Sequence, residues 1–126
     1  MATSPTQRTL AWCKKQGRTS GMVEKWNSFM KIRQDLFGFI DIICIDKERG
    51  IIAVQSTGSA HSAHIKKLTI ERKEIVTEWL QSGAPLELIS WRKVKKVRGG
   101  KAMVWKPRIC DFTLDKDNNI IVTERD

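Results

Sequence analysis

The sequence predicts an α/β fold: a mixed central β-sheet flanked by helices, with a C-terminal β-ribbon extension. Three observations carry this reading. Two runs rich in β-branched residues, 39–46 and 51–57, are joined by the short turn Lys47-Glu48-Arg49-Gly50, which makes an antiparallel hairpin. Residues 61–82 then switch to helical periodicity, and a further apolar run, 86–91, follows them. A helix in that place is a crossover to a parallel strand. With 126 residues, the chain is long enough for one domain with a core and too short for two ordinary ones. The predicted order, αβββαβ, occupies about residues 4–92 of a single domain 1–126, and residues 93–126 form a basic β extension.

Taken in order, Ser4-Pro5-Thr6-Gln7 opens the first helix, with Ser4 as N-cap, Pro5 in the first turn and Gln7 completing a capping box. That helix runs to about Gln16 and stops at Gly17. Residues 21–27 alternate in the manner of a strand. Residues 39–46 and 51–57 are the hairpin. From Ser59 or His61 to Ser82, the residues Ile65, Leu68, Ile75, Val76, Trp79 and Leu80 share one helical face, and Gly83 is the stop signal. Residues 86–91 return as a strand, residues 103–114 as the final ribbon, and residues 118–123 as an added edge.

Composition narrows the function classes. No apolar run approaches a membrane span, and the first ten residues lack the apolar segment of a signal peptide, so a soluble cytoplasmic protein is expected. The three cysteines, Cys13, Cys44 and Cys110, have neither the number of a disulfide scaffold nor the spacing of a zinc finger; Cys44 reads as a small core residue. The net charge of +9 favours an anionic partner, nucleic acid first. Its location matters more than its size. Residues 36–90 nearly balance, with six bases against seven acids, whereas residues 91–108 hold eight bases and no acid. Those bases are Arg92, Lys93, Lys95, Lys96, Arg98, Lys101, Lys106 and Arg108, flanked by Trp91 and Trp105 and bent at Gly99-Gly100. Against the reading of a solvated face stands that of a hairpin that tracks phosphates.

Asp41 lies in Phe39-Ile40-Asp41-Ile42-Ile43-Cys44-Ile45, where an isolated buried carboxylate would be costly without a partner, a metal or an opening to solvent. A tight turn pairs 46 with 50 and 45 with 51, which places 41 opposite 55. Asp41, Gln55 and Thr57 then project to one side. A slip of one residue would place Ser56 there instead. The residues leave two readings open. One is a site of hard oxygen donors suited to hydrated Mg²⁺ or Mn²⁺. The other is a satisfied structural cluster of Asp41 with Gln55, Thr57 or nearby serines.

The run Arg33-Gln34-Asp35-Leu36-Phe37-Gly38-Phe39-Ile40-Asp41, followed by an apolar strand, a turn and Ile52-Ala53-Val54-Gln55-Ser56-Thr57, resembles the PD-(D/E)XK, or restriction-endonuclease-like, nuclease superfamily. Within it the resemblance is greatest to small, often phage-encoded, Holliday-junction-resolvase-like proteins. It covers about residues 4–92, and element order and spacing supply most of its weight. It implies a Mg²⁺- or Mn²⁺-dependent phosphodiesterase acting on DNA, including branched DNA, as a homodimer. Asp41 would be the metal-binding aspartate, Gln55 would stand at the position of the family's Glu, and Ser56 would offer its backbone carbonyl. Thr57 stands where the family has Lys, and the first helix carries no carboxylate. Glu24, on the strand after that helix, is the substitute ligand, and Lys66 or Lys67 the substitute lysine. Arg33 and the long helix join the basic run in contacting phosphates.

Other features point less far. His61 and His64 are three apart on one helical face, but a pair of histidines does not specify zinc, and a position facing solvent or phosphate is expected. Residues 58–62 (GSAHS) would present N–H groups to a phosphate, without the lysine of an ATP-binding loop. Trp79, Trp26 and Trp91 are expected to pack, which leaves Trp105 to stack on bases. Two rival functions stand beside it: from Thr57 and the carboxylate-free first helix, a catalytically inactive nucleic-acid-binding protein on the same fold; and from the basic surfaces, a small phage-type inhibitor of an acidic host protein.

Overall fold

In the computed structural model, which describes residues 3–125, the chain enters its first helix, α1 (Pro5–Lys15), through Ser4, whose Oγ accepts the Gln7 N–H at 3.2 Å. Gly17, at φ 77°, turns the chain out of the helix. Then come β1 (Thr19–Met22), β2 (Lys25–Asn27), β3 (Ile32–Gln34), β4 (Ile42–Asp46) and β5 (Gly50–Thr57). After α2 (His61–Lys66), a π-helical turn (Lys67–Glu71) and α3 (Lys73–Gln81), the chain finishes with β6 (Leu86–Lys95), β7 (Met103–Leu114) and β8 (Ile120–Glu124).

Six strands form one mixed sheet in the order β1-β4-β5-β6-β7-β8, and β2-β3 stand apart as a two-stranded hairpin. The β4–β5 hairpin has the expected register, Asp46 opposite Gly50 and Ile42 opposite Val54. The helical crossover returns β6 parallel to β5, with Thr57 opposite Ser90. Every other pairing in the sheet is antiparallel. Alternate residues of the central strands serve two cores. Ile42, Cys44, Ile52, Val54 and Ile89 pack with Cys13 of α1 on one face; Ala53, Leu86 and Leu88 pack with Leu68 and Val76 on the other. Cys44 is fully buried, as expected of a core residue. Among the described residues no helix is long and apolar enough to cross a membrane.

Three elements differ from expectation, each for a local reason. Residues 21–27 do not form one strand. Met22 is paired with Ile42, the first residue of β4, so β1 runs out of partner there; Lys25–Asn27 pairs instead with Ile32–Gln34, a strand whose short, polar sequence carries no periodic signal. The strand expected from residue 39 begins at Ile42. Phe37 and Gly38, at φ 55° and 79°, fold the chain into a tight turn that still buries Phe39 and Ile40 completely. The positive φ favours glycine at 38, and a Cβ there would also press on the Arg72 guanidinium, 3.1 Å away.

The long helix is interrupted between α2 and α3, where the Arg72 N–H bonds the Lys67 carbonyl at 2.7 Å, five residues back. Eight α-helical residues from Leu68 to Val76 would rotate about 800°, roughly 80° beyond two full turns. Absorbing one residue in the π turn returns Val76 to within about 20° of Leu68, and both face the sheet.

Candidate metal centre

The ends of β4 and β5 bring the predicted pair together. Asp41 leaves the sheet just before β4, its N–H still bonded to the Val54 carbonyl at 3.0 Å. Its Oδ2 accepts the Gln55 side-chain N–H at 2.7 Å and the Ser56 backbone N–H at 2.8 Å. Asp41 is 4% exposed and Gln55 2%, so these bonds are sheltered from water. The Ser56 side chain turns to the opposite face, where its Oγ lies 2.8 Å from Thr9 Oγ1. Thr57 is buried on the Gln55 face of β5, with no hydrogen bond from its side chain to the carboxylates.

Two further acids complete the cluster. Glu24 lies in the loop between β1 and β2, not on a strand, and Asp35 directly follows β3. Glu24, Asp35 and Asp41 each offer an oxygen, and the three oxygens lie within 4.8 Å of one another. Asp35 had no assigned role in the sequence. It belongs to neither an apolar strand nor a helix, and only the turn at Phe37-Gly38 folds it back onto Asp41. Its Oδ2 accepts from Lys67 Nζ at 3.0 Å and lies 3.4 Å from Gln55 Nε2. Helix phase thus separates the two candidate lysines: Lys67 reaches the carboxylates and Lys66 is exposed. Arg33 caps the group from outside, 3.1 Å from Glu24.

Proton affinity divides the pair. Burial, then the hydrogen bond and negative charge of Asp35, push the Asp41 carboxyl up to about 8, against the opposing Ser56 N–H bond; the Glu24 charge adds a smaller push. Burial also pushes Asp35 up, but its hydrogen bonds with Asp41, Lys67 and Gln55, together with the Lys67 charge, outweigh this and hold it below the usual range. At neutral pH the buried Asp41 thus favours its protonated form, beside an ionised, partly buried Asp35.

The donor set fits a hard divalent cation. Three carboxylates could each supply an oxygen ligand, and the neighbouring Gln55 has its Oε1 buried with no hydrogen-bond partner. A cleft of about 430 Å³, lined by Arg33, Asp35, Gly38, Lys67 and Arg72 among others, opens next to Asp35.

The basic run occupies the outer part of the β6–β7 hairpin, paired as far as Lys95 with Met103. Because β6 is parallel to β5 and continues past it, this hairpin rises from the end of the sheet that carries Asp41 and Gln55. Arg92, Lys93, Lys95, Lys96, Arg98, Lys101 and Lys106 are exposed there. Arg108 is not free, since it pairs with Glu124. Trp105 is partly covered: the Arg8 guanidinium lies 4.0 Å from its ring centroid, which adds α1 to this surface.

Trp91 and Trp79 pack as expected, their ring N–H groups donating to Thr9 Oγ1 and to the Pro85 carbonyl. Trp26 does not pack; it is 57% exposed, because β2 is outside the main sheet. The two histidines form no joint site. His61 is buried against Ser90, at 2.5 Å, and Cys110, whereas His64 bonds the Ala60 carbonyl. Burial, and then the Arg108 charge, lower the His61 pKa and favour a neutral imidazole. His61, Cys110 and Glu124 could also meet at one ion, but Glu124 is engaged by Arg108, whose charge opposes a cation.

Compared with known proteins, the chain matches no family model, no curated protein and no solved structure.

Proposed function

We propose that this protein binds DNA and hydrolyses phosphodiester bonds in it with the help of Mg²⁺ or Mn²⁺, acting on branched DNA as the resolvase-like resemblance implies. The observation that supports it most is the meeting of Asp41, Asp35 and Glu24, with Gln55 hydrogen-bonded to Asp41 and its buried Oε1 left without a partner. Asp41, Asp35 and Glu24 would hold the ion, with Gln55 beside them. The ion, when bound, would polarise a phosphodiester and lower the pKa of an attacking water. Lys67 takes the place of the lysine missing at Thr57: its ammonium is held at the carboxylates by Asp35 and is positioned to steady developing negative charge. Asp41 must give up its proton before it can act as a ligand, so ion binding releases a proton below about pH 8. The exposed bases of the β6–β7 hairpin grip the backbone on the same side.

Incubation with labelled four-way junction, flap and duplex DNA in Mg²⁺ or Mn²⁺ is expected to give cuts that require the ion. Absence of any cut above a protein-free control would remove the catalytic reading. Changing Lys95, Lys96 and Arg98 to Ala should reduce the slope of log affinity against log salt by roughly two to three, since each phosphate contact contributes about 0.9. An unchanged slope would exclude the hairpin from the DNA surface.

A second reading, DNA binding without cleavage on the same fold, draws on Gln55 and Thr57, which replace a carboxylate and an ammonium at the centre. It expects salt-sensitive binding that is indifferent to divalent ions, and no cleavage.

A further inference from the structure

We propose that the β2–β3 hairpin, residues 25–34, is a wedge that inserts Phe29 into the base stack at a discontinuity in DNA and sets the distance from that point to the cut. The inference rests on the metal-dependent reading above and adds to it what part of the substrate is recognised.

The hairpin pairs only with itself and leaves its apolar residues in water. Phe29, at the tip, is 92% exposed, and Trp26, Met30 and Ile32 are 57%, 59% and 47% exposed. Neighbouring apolar exposure on this scale marks a contact surface. Its shape is preset: Asn27 Oδ1 accepts the N–H groups of both Phe29 and Met30, at 3.1 and 3.0 Å, which holds the turn that presents the ring.

Charge selects the partner. The ten residues contain Lys25, Lys31 and Arg33 and no acid. Trp26 is paired with Arg33, so an aromatic ring and a guanidinium stand side by side on one face of the ribbon. Rings for base faces beside cations for phosphates are the two needs of unstacked nucleic acid.

Position supplies the rest. Glu24 immediately precedes the hairpin and Asp35 immediately follows it, so both ends of the wedge are fixed to the candidate metal centre. From Glu24 to the turn after Asn27 the chain advances about 3.3 Å per residue, which puts the tip roughly 10–15 Å from the carboxylates. At about 3.4 Å per nucleotide, that span corresponds to three or four nucleotides between the disrupted step and the scissile bond.

The test compares wild type with Phe29→Ala, a change at a fully solvated side chain. Binding to a four-way junction carrying 2-aminopurine at the branch, and to intact duplex, is measured in EDTA; cuts are then mapped in Mg²⁺. Wild type is expected to brighten the probe and to prefer the junction. Phe29→Ala should keep its thermal stability and its duplex affinity, lose the fluorescence rise, and weaken junction binding about tenfold or more. Cuts should fall three or four nucleotides from the branch. An unchanged ratio of junction to duplex affinity in the variant would overturn the wedge while leaving hydrolysis standing. A wild type that brightens the probe but never cuts would support the wedge and remove hydrolysis. A wild-type dimer that Phe29→Ala turns into a monomer, with the affinity ratio unchanged, would overturn it in favour of contact between two copies.

Discussion

Asp41→Asn is expected to abolish metal-dependent cleavage, by on the order of a thousandfold or more, while making the protein more stable at pH 8. The two effects share one cause. Between the usual carboxyl range and about pH 8, folded wild type holds a proton on Asp41 that the unfolded chain gives up. Stability therefore falls as pH rises through that window. Asparagine reproduces the protonated acid. Its oxygen can accept from Gln55 and from the Ser56 N–H, and its amide can donate toward Asp35 as a protonated Asp41 would. The variant cannot ionise, so its advantage in Tm should be small near pH 5 and grow toward pH 8. Added Mn²⁺ should raise the Tm of wild type and leave that of the variant in place. Parallel pH profiles for the two proteins would refute a proton on Asp41, and equal Mn²⁺ responses would refute an ion held there.

The centre was partly legible before the fold was known. A lone acid in an apolar run marks Asp41, and the three-residue turn from Lys47 fixes the register that meets Gln55. Glu24 was legible only as an acid in the right region. Asp35 was not legible as a ligand, because the turn that brings it in depends on two residues at positive φ, one of them the non-glycine Phe37. The choice between Lys66 and Lys67 needed the phase of a helix whose π turn periodicity does not reveal.

The second large effect is on stability. Glu87→Ala is expected to cost about 3–5 kcal/mol, a fall in Tm on the order of 10–20 °C. Glu87 is completely buried and meets three guanidinium groups. Arg18 binds both its oxygens, at 2.9 and 3.1 Å, and Arg49 and Arg125 add further bonds to Oε2. Asp46 holds Arg18 at 3.0 Å, and Asp111 holds Arg125 at 2.7 Å, so three acids balance three arginines. Burial pushes the Glu87 carboxyl up, but the Arg18 hydrogen bonds and charge, with Arg125, outweigh it and hold it below its usual range.

The stability that Glu87 contributes is thus present above the ordinary carboxyl range and is lost on acidification through its lowered value. Removing the carboxylate strands Arg18, itself 9% exposed, without its main partner. The cluster ties α1's exit to β4, β5's turn, β6 and the chain after β8, at the end of the sheet away from Asp41. Folded Glu87→Ala protein should therefore bind Mn²⁺ as wild type does. A loss of less than about 1 kcal/mol by urea denaturation would show that the cluster is no more than a set of surface pairs.

Asp41 and Glu87 show where sequence reasoning ends. Both are single acids in apolar runs of the sequence and both are sealed from water, Glu87 within β6 and Asp41 one residue ahead of β4, between the buried Ile40 and Ile42. Sequence also determined the order of the main-sheet strands, the β4–β5 register, the parallel return of β6 and the place of the basic hairpin, though not the separate β2–β3 hairpin or the break in the crossover helix. What each buried carboxylate does depends on which charges the fold brings to it from elsewhere in the chain. Glu87 receives Arg18, Arg49 and Arg125 and is neutralised as a structural clamp; Asp41 receives Asp35 and Glu24, which Lys67 and the exposed Arg33 answer one each, so that no cation among the described residues pairs with Asp41. An excess of negative charge in a dry site is left for a proton or a cation to offset, and only the tertiary structure decided which of the two acids would be left in that state.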